Sequence, residues 1–425
     1  MARFSRPAQS VFFVALRYLL GRAKEGGRYL RGAAAGIALS LVPIIVTLIA
    51  ADGMIRGISD RYIELGTGHV QVYDFFGMAM ESAVKDEIGR LETVRGVWRE
   101  RQGLGIILGK QGRTGATIRA VESDFWRDEG SARFLEVLEG SAVISGSRQV
   151  LLGRGLARET GAHAGDTVRI MTIRAGENGN TLPRLSIFTV AGIISSGYRE
   201  LDELWCVMNY EAGEELLAPE LYRSFFMVKC GDPYGKADEC SREIAGLLGP
   251  GFGVFTWKEL QQSLYKSFES TRQMLLFIMA LLVAVAAVNV SSATSMLVIE
   301  RQRDIGVLKA AGAGPRFIRS VFLTSALLTG LSGAALGIAL GLILGCNING
   351  VIRGLEKALG FAASFWGGSV KILDAEYYLE TIPILVNVPV IGAIALFTLL
   401  CSCAASFLPA RRAGKSKPLD ILRRI

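Results

Sequence analysis

Histidine is nearly missing from this sequence: there are two in 425 residues, His69 and His163. That scarcity removes most of the usual routes to general-base catalysis and to nitrogen-ligated metal sites. One histidine stands beside a predicted strand and the other in a predicted turn, so both read as structural or surface residues. Cysteine is sparse as well, at six. Cys346, Cys401 and Cys403 fall in or beside apolar runs, where a thiol acts as a small packing residue. Cys206, Cys230 and Cys240 lie in a charged region, odd in number and without recognisable spacing, which leaves a disulfide open. A nucleotide-binding loop is lacking too. "GIILGK" (105–110) comes nearest, but three residues separate its glycines where four are needed, and Gln111 follows the lysine in place of a hydroxyl. If this chain takes part in driven work, another chain is expected to hydrolyse the nucleotide.

Charge is what four long stretches lack. Between Arg31 and Asp52 there are 20 uncharged residues, between Arg272 and Glu300 there are 27, between Arg319 and Arg353 there are 33, and between Glu380 and Arg411 there are 30. A helix needs about 20 residues to cross a hydrocarbon core of about 30 Å, so each run is a candidate span. The first run follows a basic segment too long for a signal-peptide n-region and shows no small-x-small cleavage site, so it reads as a span. Charge then orients the spans. Residues 1–31, 300–319 and 411–425 together hold 18 Lys or Arg against four acids, whereas 52–272 holds 26 basic and 31 acidic residues and 353–380 holds three and four. Basic flanks are retained in the cytoplasm, which places the first group inside and the other two outside. The formal charge of +8 therefore reflects membrane orientation rather than a nucleic-acid surface.

Around the spans, periodicity predicts the remaining elements. In "SVFFVALRYLLGR" (10–22), Val11, Val14, Ala15, Tyr18 and Leu19 form one apolar helical face flanked by Arg17, Arg22, Lys24 and Arg28, suited to the cytoplasmic membrane interface or to a partner protein. After the first span, helical spacing continues through Met54, Ile55, Ile58, Tyr62 and Leu65. "TWKELQQSLYKSFESTRQ" (256–273) returns with Leu260, Leu264 and Phe268. The two segments read as legs of a stalk, with apolar stripes that meet each other or a second copy. Between them, "HVQVYD", "GATIRAV", "DTVRIMTI", "SIFTVAGII" and "SFFMVKC" alternate as strands, with helices predicted over 80–92 and 236–248, giving an extracytoplasmic α+β domain of about 200 residues. No internal repeat or low-complexity tract is evident.

The spans carry packing signals. Gly32 and Gly36 form a Gly-x-x-x-Gly pair, and Gly333, Gly337, Gly341 and Gly345 keep a strict spacing of four, which leaves a flat groove for close helix approach within the bundle or across a dimer. Asn289, Ser291, Ser292, Thr294 and Ser295 in the second span are expected to bond back to helix carbonyls rather than line a polar path.

The segment "ERQRDIGVLKAAGA" (300–313) resembles the loop after the second span in permeases of the FtsX/MacB superfamily, where a cytoplasmic coupling helix docks into the nucleotide-binding subunit. The order of one span, a large outer domain and three further spans agrees, and "LPARRAGKSKPLDILRRI" resembles that superfamily's ending. "FVALRYLLGR", "LLGRGLARETGAHAGDTVRIM" and "FTVAGIISSGYRELDELWCVMNYEAGEELL" resemble segments of the lipoprotein-releasing permeases LolC and LolE.

The resemblance implies an integral membrane α-helical protein with four transmembrane helices, a cytoplasmic N-terminus and a large periplasmic α+β domain on a helical stalk, resident in the bacterial inner membrane. The expected division is an interfacial segment 1–31, spans 32–52, 273–299, 320–350 and 383–409, stalk and outer domain 53–272, coupling helix 300–319, periplasmic loop 351–382 and tail 410–425. It implies a permease that, with a LolD-like ATPase dimer carrying ATP and Mg and with a second permease subunit, copy or paralogue, passes acylated lipoproteins from membrane lipid to a periplasmic chaperone. No cofactor is implied in this chain.

On that basis Glu300, Arg303, Asp304, Ile305, Gly306, Leu308, Lys309 and Gly312 are expected to contact the ATPase, with Ile305 and Leu308 free to enter its cleft. Met54, Ile55, Ile58, Leu264 and Phe268 are expected either to shelter acyl chains or to pack the stalk. The loop "TIRAGENGNTLPRLSIF" (172–188), through Arg174, Pro183 and Arg184, stands where that family contacts the chaperone, or is an ordinary hairpin. Two other functions remain open: an efflux or mechanotransmission permease like MacB, and a non-transporting activator of a cell-wall hydrolase like FtsX.

Overall fold

A computed structural model describes residues 7–20, 27–75, 82–175, 181–217, 222–364, 379 and 381–415. In chain order the helices are α1 (Pro7–Leu20), α2 (Gly27–Arg61), α3 (Ser82–Gly89), α4 (Glu129–Ala132), α5 (Arg154–Thr160), α6 (Arg199–Leu204), α7 (Tyr210–Leu216), α8 (Ala237–Leu248), α9 (Trp257–Leu260), α10 (Gln262–Glu300), α11 (Gln302–Ala310), α12 (Pro315–Cys346), α13 (Ile348–Ser364) and α14 (Val388–Lys415). The strands are β1 (Val70–Asp74), β2 (Val94–Leu108), β3 (Arg113–Val121), β4 (Glu136–Gly140), β5 (Gln149–Gly153), β6 (Thr167–Ala175), β7 (Thr181–Ser195), β8 (Trp205–Asn209), β9 (Arg223–Cys230) and β10 (Phe252–Thr256). Two compact units result, one of Met1–Gly53, Phe268–Gly368 and Ile382–Ile425, the other of Met54–Ser267 and Ser369–Thr381.

The first unit is a helical bundle. Among the described residues four helices, α2, α10, α12 and α14, are long and apolar enough to cross a membrane. Large apolar side chains such as Phe277, Leu281, Leu336, Ile343 and Leu400 are exposed on them, as hydrocarbon surroundings favour and water does not. The bundle interior is built from Ile37, Leu41, Ile44 and Leu48 of α2 against Met279, Val283, Ala286 and Val290 of α10. Boundaries differ from expectation where punctuation outweighs charge. Pro315 is tolerated in a first helical turn, so α12 starts there, and the coupling helix contracts to α11, ended by Gly312 at φ +93°. The end of the expected span and residues 351–364 of the expected loop form α13, and 365–378 lie outside the described residues.

The predicted interfacial helix is also occupied differently. Its apolar face lies against its own chain: Ala15 and Tyr18 of α1 are buried, and the Tyr18 ring packs on Phe322 of α12 at 6.0 Å between centroids. Phe12 and Phe13 point outward instead. Leu19 lies outside the described side chains.

The second unit is an α+β domain on a ten-stranded sheet in the order β10-β1-β9-β2-β3-β8-β5-β7-β4, with β6 pairing β2 and β7. All five predicted strand segments fall in strands, and helices stand at 82–89 and 237–248. "GIILGK" is the end of β2 and its turn, with Gly109 N–H donating to the Gly112 carbonyl and Lys110 paired with Asp166 at 2.5 Å. Apolar clusters form on both faces of the sheet. One face carries Ile107, Ile118, Val168, Ile170 and Val190, and further clusters form around Trp98, Phe125 and Phe225 and around Leu65, Leu151 and Trp205.

Candidate functional site: the coupling segment and the stalk anchor

In the helical unit the segment after the second apolar helix forms a compact knuckle. Arg301 stands before α11, pairs with Asp304 at 2.9 Å and lies over the Tyr18 ring at 5.1 Å. Ile305 is 1% exposed and packs with Leu297, Ile318, Phe322 and Ala410, while Leu308 lies half-buried against the same cluster. This corrects the expectation that Ile305 and Leu308 are free to enter a partner: an apolar pair beside so short a helix is spent on holding it to the bundle. Gly306 is buried with them, and Lys309 donates to the Gly414 carbonyl at 2.9 Å, tying α11 to the last turn of α14. The C-terminal motif gains a physical role here. Pro409, Ala410, Ala413 and Gly414 are buried, and a side chain at Gly414 would meet the Pro315 carbonyl at 2.8 Å.

The outward face of α11 consists of Gln302, Arg303, Val307 and Ala310, continued by Gly312; Glu300 is exposed just before it. Val307 is 70% exposed. Sequence reasoning passed over it because Ile305 and Leu308 looked like the apolar face, yet Arg303, Val307 and Ala310 share the i, i+4, i+7 stripe opposite.

The glycines divide into two groups. A β-carbon on Gly333, Gly337, Gly341 or Gly345 would lie within 3.0 Å of Ile37, Leu41, Ile45 or Ile49, so this stripe is the seat of α2 within the chain. Gly32 and Gly36 have no such neighbour within 4 Å; they border a cavity of about 490 Å³ lined also by Tyr29, Asn289, Ser292, Ala293 and Met296. Thr294 and Ser295 bond back to the Val290 and Ser291 carbonyls, as expected, and Thr294 also meets Ser406 at 3.2 Å.

In the α+β unit the end of the first stalk leg is locked into the domain. The helix gives way at Tyr62–Thr67 to a wider turn whose carbonyls are free to accept outside donors. The Leu65 carbonyl accepts from Arg119 at 2.7 Å; Arg119 also grips Glu100 bidentately at 2.7 and 2.9 Å and lies over the Trp205 ring at 4.3 Å. Both charges are 0% exposed, which only such complete pairing sustains. Next to it, Glu64 takes Lys229 at 2.9 Å and His69 at 3.2 Å, and Lys229 continues to Asp128 at 2.6 Å. Burial alone would raise the Glu64 pKa, but the His69 hydrogen bond and the Lys229 charge outweigh it and hold the carboxyl down at about 2. Nδ1 of His69 accepts from the Cys230 N–H at 2.8 Å, and Nε2 faces Glu64. His69 is thus a structural residue, as expected.

Arg61 donates to the Ser196 carbonyl at 2.7 Å, and Tyr62 packs edge-on to Tyr198 at 5.8 Å. Ser195, the Ser196 hydroxyl and the Ser196 N–H all donate to Asp202 at 2.6–2.7 Å, and Gly197 turns at φ +68°. The stretch "SSGYRELDELW" therefore builds a cup for Arg61. The returning leg meets the first at Tyr234, which donates to Asp60 at 2.7 Å, stacks under Arg56 at 3.5 Å and packs on Trp257 at 5.3 Å. Of the stalk residues singled out, Met54, Ile55, Ile58, Leu264 and Phe268 are all half-buried.

Residues 172–175 and 181–188 belong to strands β6 and β7 of an antiparallel hairpin, with Ile173 opposite Pro183; 176–180 lie outside the described residues. Arg174 and Pro183 are exposed, whereas Arg184 bonds to Glu215.

Comparison with known proteins follows this division. Residues 32–236 match the MacB-like periplasmic core domain and residues 276–418 the FtsX-like permease C-terminal domain. The chain belongs to the FtsX/MacB superfamily of ABC transporter permeases. Within it, the chain is 25% identical to the lipoprotein-releasing system transmembrane protein LolC of Xylella fastidiosa, over 96% of this chain and 98% of that protein. It is 22% identical to LolE of Haemophilus influenzae, over 97% and 98%, and 23% identical to an uncharacterised ABC transporter permease of Methanocaldococcus jannaschii, over 91% and 92%.

Proposed function

We propose that this permease extracts acylated, outer-membrane-directed lipoproteins from the inner membrane and hands them to a periplasmic chaperone, driven by a separate LolD-like ATPase dimer and paired with a second permease, identical or paralogous. The observation that carries this reading is the likeness to LolC and LolE across nearly the whole of both chains, helices and outer domain together. The physics of the task fits a driven machine. Withdrawing an acyl chain costs about 0.8 kcal/mol per CH₂, so several chains are not released without external work and an apolar shelter. In this reading ATP and Mg act on the partner subunit. Arg303, Val307 and Ala310 receive its motion, and Ile305 and Leu308 pass it into α10 and α12. Met54, Ile55, Ile58, Leu264 and Phe268 contribute to the shelter, and the β6–β7 hairpin, with Arg174, Pro183 and Arg184, meets the chaperone.

Depletion followed by fractionation of acylated proteins tests the reading. Retention of outer-membrane lipoproteins in the inner membrane is expected; their normal delivery would overturn it.

A further inference from the structure

Cys230 is the last residue of β9, and Cys240 lies near the start of α8, ten residues later. Both are fully buried and pack in one apolar cluster with Val228, Ile88 and Ile244. Cys206 is buried in a different cluster. The backbone is held on both sides of the pair. Cys230 N–H donates to His69 Nδ1 at 2.8 Å, Lys236 N–H to the Asp232 carbonyl at 3.1 Å, and Cys240 N–H to the Lys236 carbonyl at 3.0 Å. A turn of bonded residues thus delivers two thiols to one place in a domain that the proposed function sets outside the cytoplasm.

We propose that Cys230 and Cys240 are a disulfide site, closed in an oxidising compartment by exchange with a disulfide donor; this rests on the extracytoplasmic placement of the domain. One thiolate, written here as that of Cys240, attacks one sulfur of the donor disulfide, and the donor's other sulfur leaves as a thiolate. Cys230 then attacks the Cys240 sulfur of the mixed disulfide and expels the donor's second thiol. The two protein thiols lose two protons and two electrons, and the donor disulfide becomes two thiols. Because both sulfurs are buried, exchange precedes the docking of α8 on the sheet, and the finished bond is shielded from later reduction.

Trypsin separates the two cysteines, into residues 230–236 and 237–242, so the bond is read as a linked pair of peptides. Full-length protein is expressed in cells, quenched in acid, alkylated under denaturing conditions without reductant, and mapped by mass spectrometry. The linked peptides are expected, lost in Cys230→Ser and in Cys240→Ser. Reduction should lower the unfolding temperature of the wild type by on the order of 5 °C and leave the Cys230→Ser/Cys240→Ser variant unmoved.

Placement is read separately, by labelling Arg113→Cys in the Cys230→Ser/Cys240→Ser background of intact spheroplasts with an impermeant maleimide. Labelled Arg113→Cys together with two fully alkylated native thiols overturns the disulfide. Unlabelled Arg113→Cys overturns the placement; the pair is then judged by refolding purified protein in oxidised glutathione, where linked peptides uphold it and free thiols overturn it.

Discussion

Arg119 and Lys229 show how a single charged residue can be misjudged by its neighbours. In "GATIRAV" alternation sets Arg119 opposite Ala116, Ile118 and Ala120, as if on a wetted face, whereas in "SFFMVKC" Lys229 shares its face with Phe225 and Met227. The sheet is covered on both sides where they stand, so each is buried and paired with a carboxylate. No spacing announces such a pair, because Glu100 and Glu64 come from other elements. One titration follows from it. The folded pKa of Glu64, about 2, lies below its ordinary value of 4.5, so its contribution is complete above that value and is lost as pH falls through about 2. Glu64→Gln should flatten the acid-side loss of stability by on the order of 2–3 kcal/mol, measured by denaturant unfolding of the protein between pH 5 and about 2. An unchanged slope would show that Glu64 does not anchor the stalk end.

At the scale of elements the sequence is informative where the surroundings are simple. Long uncharged runs in "GLSGAALGIALGLILG" and the others specify apolar helices whatever they pack against. The glycine stripe of α12 was legible as a packing face, but its partner was not, since Ile37, Leu41, Ile45 and Ile49 look like any apolar series. Gly341→Ala places a β-carbon 2.9 Å from the Ile45 β-carbon and should cost about 1–3 kcal/mol of bundle stability. Gly36→Ala meets nothing within 4 Å and should leave thermal unfolding of the chain in detergent within about 0.5 kcal/mol of wild type. Equal losses would mean that α2 seats differently on α12.

For α11 the motif identified the segment and the tertiary packing reversed its faces. Val307→Glu and Arg303→Glu should reduce co-purification of the ATPase at least tenfold while the permease keeps its wild-type melting curve. Ile305→Glu should instead unfold the bundle. Binding undiminished in the first two variants would remove α11 as the contact.

For the whole molecule, the proposed function makes the apolar helices, the α11 knuckle and the locked stalk end the parts of a device moved by a separate ATPase. The SSGY stretch marked a likeness before its mechanics were visible, because a cup for Arg61 exists only once Asp202 has folded back on Ser195 and Ser196. The most direct measurement is release in proteoliposomes that contain this permease, its partner permease and the ATPase, with radiolabelled acylated lipoprotein in the bilayer and the purified chaperone outside. The account predicts transfer of label to the soluble chaperone on addition of ATP and Mg, abolished by Val307→Glu. Label that stays in the bilayer while ATP is hydrolysed at the wild-type rate would contradict it.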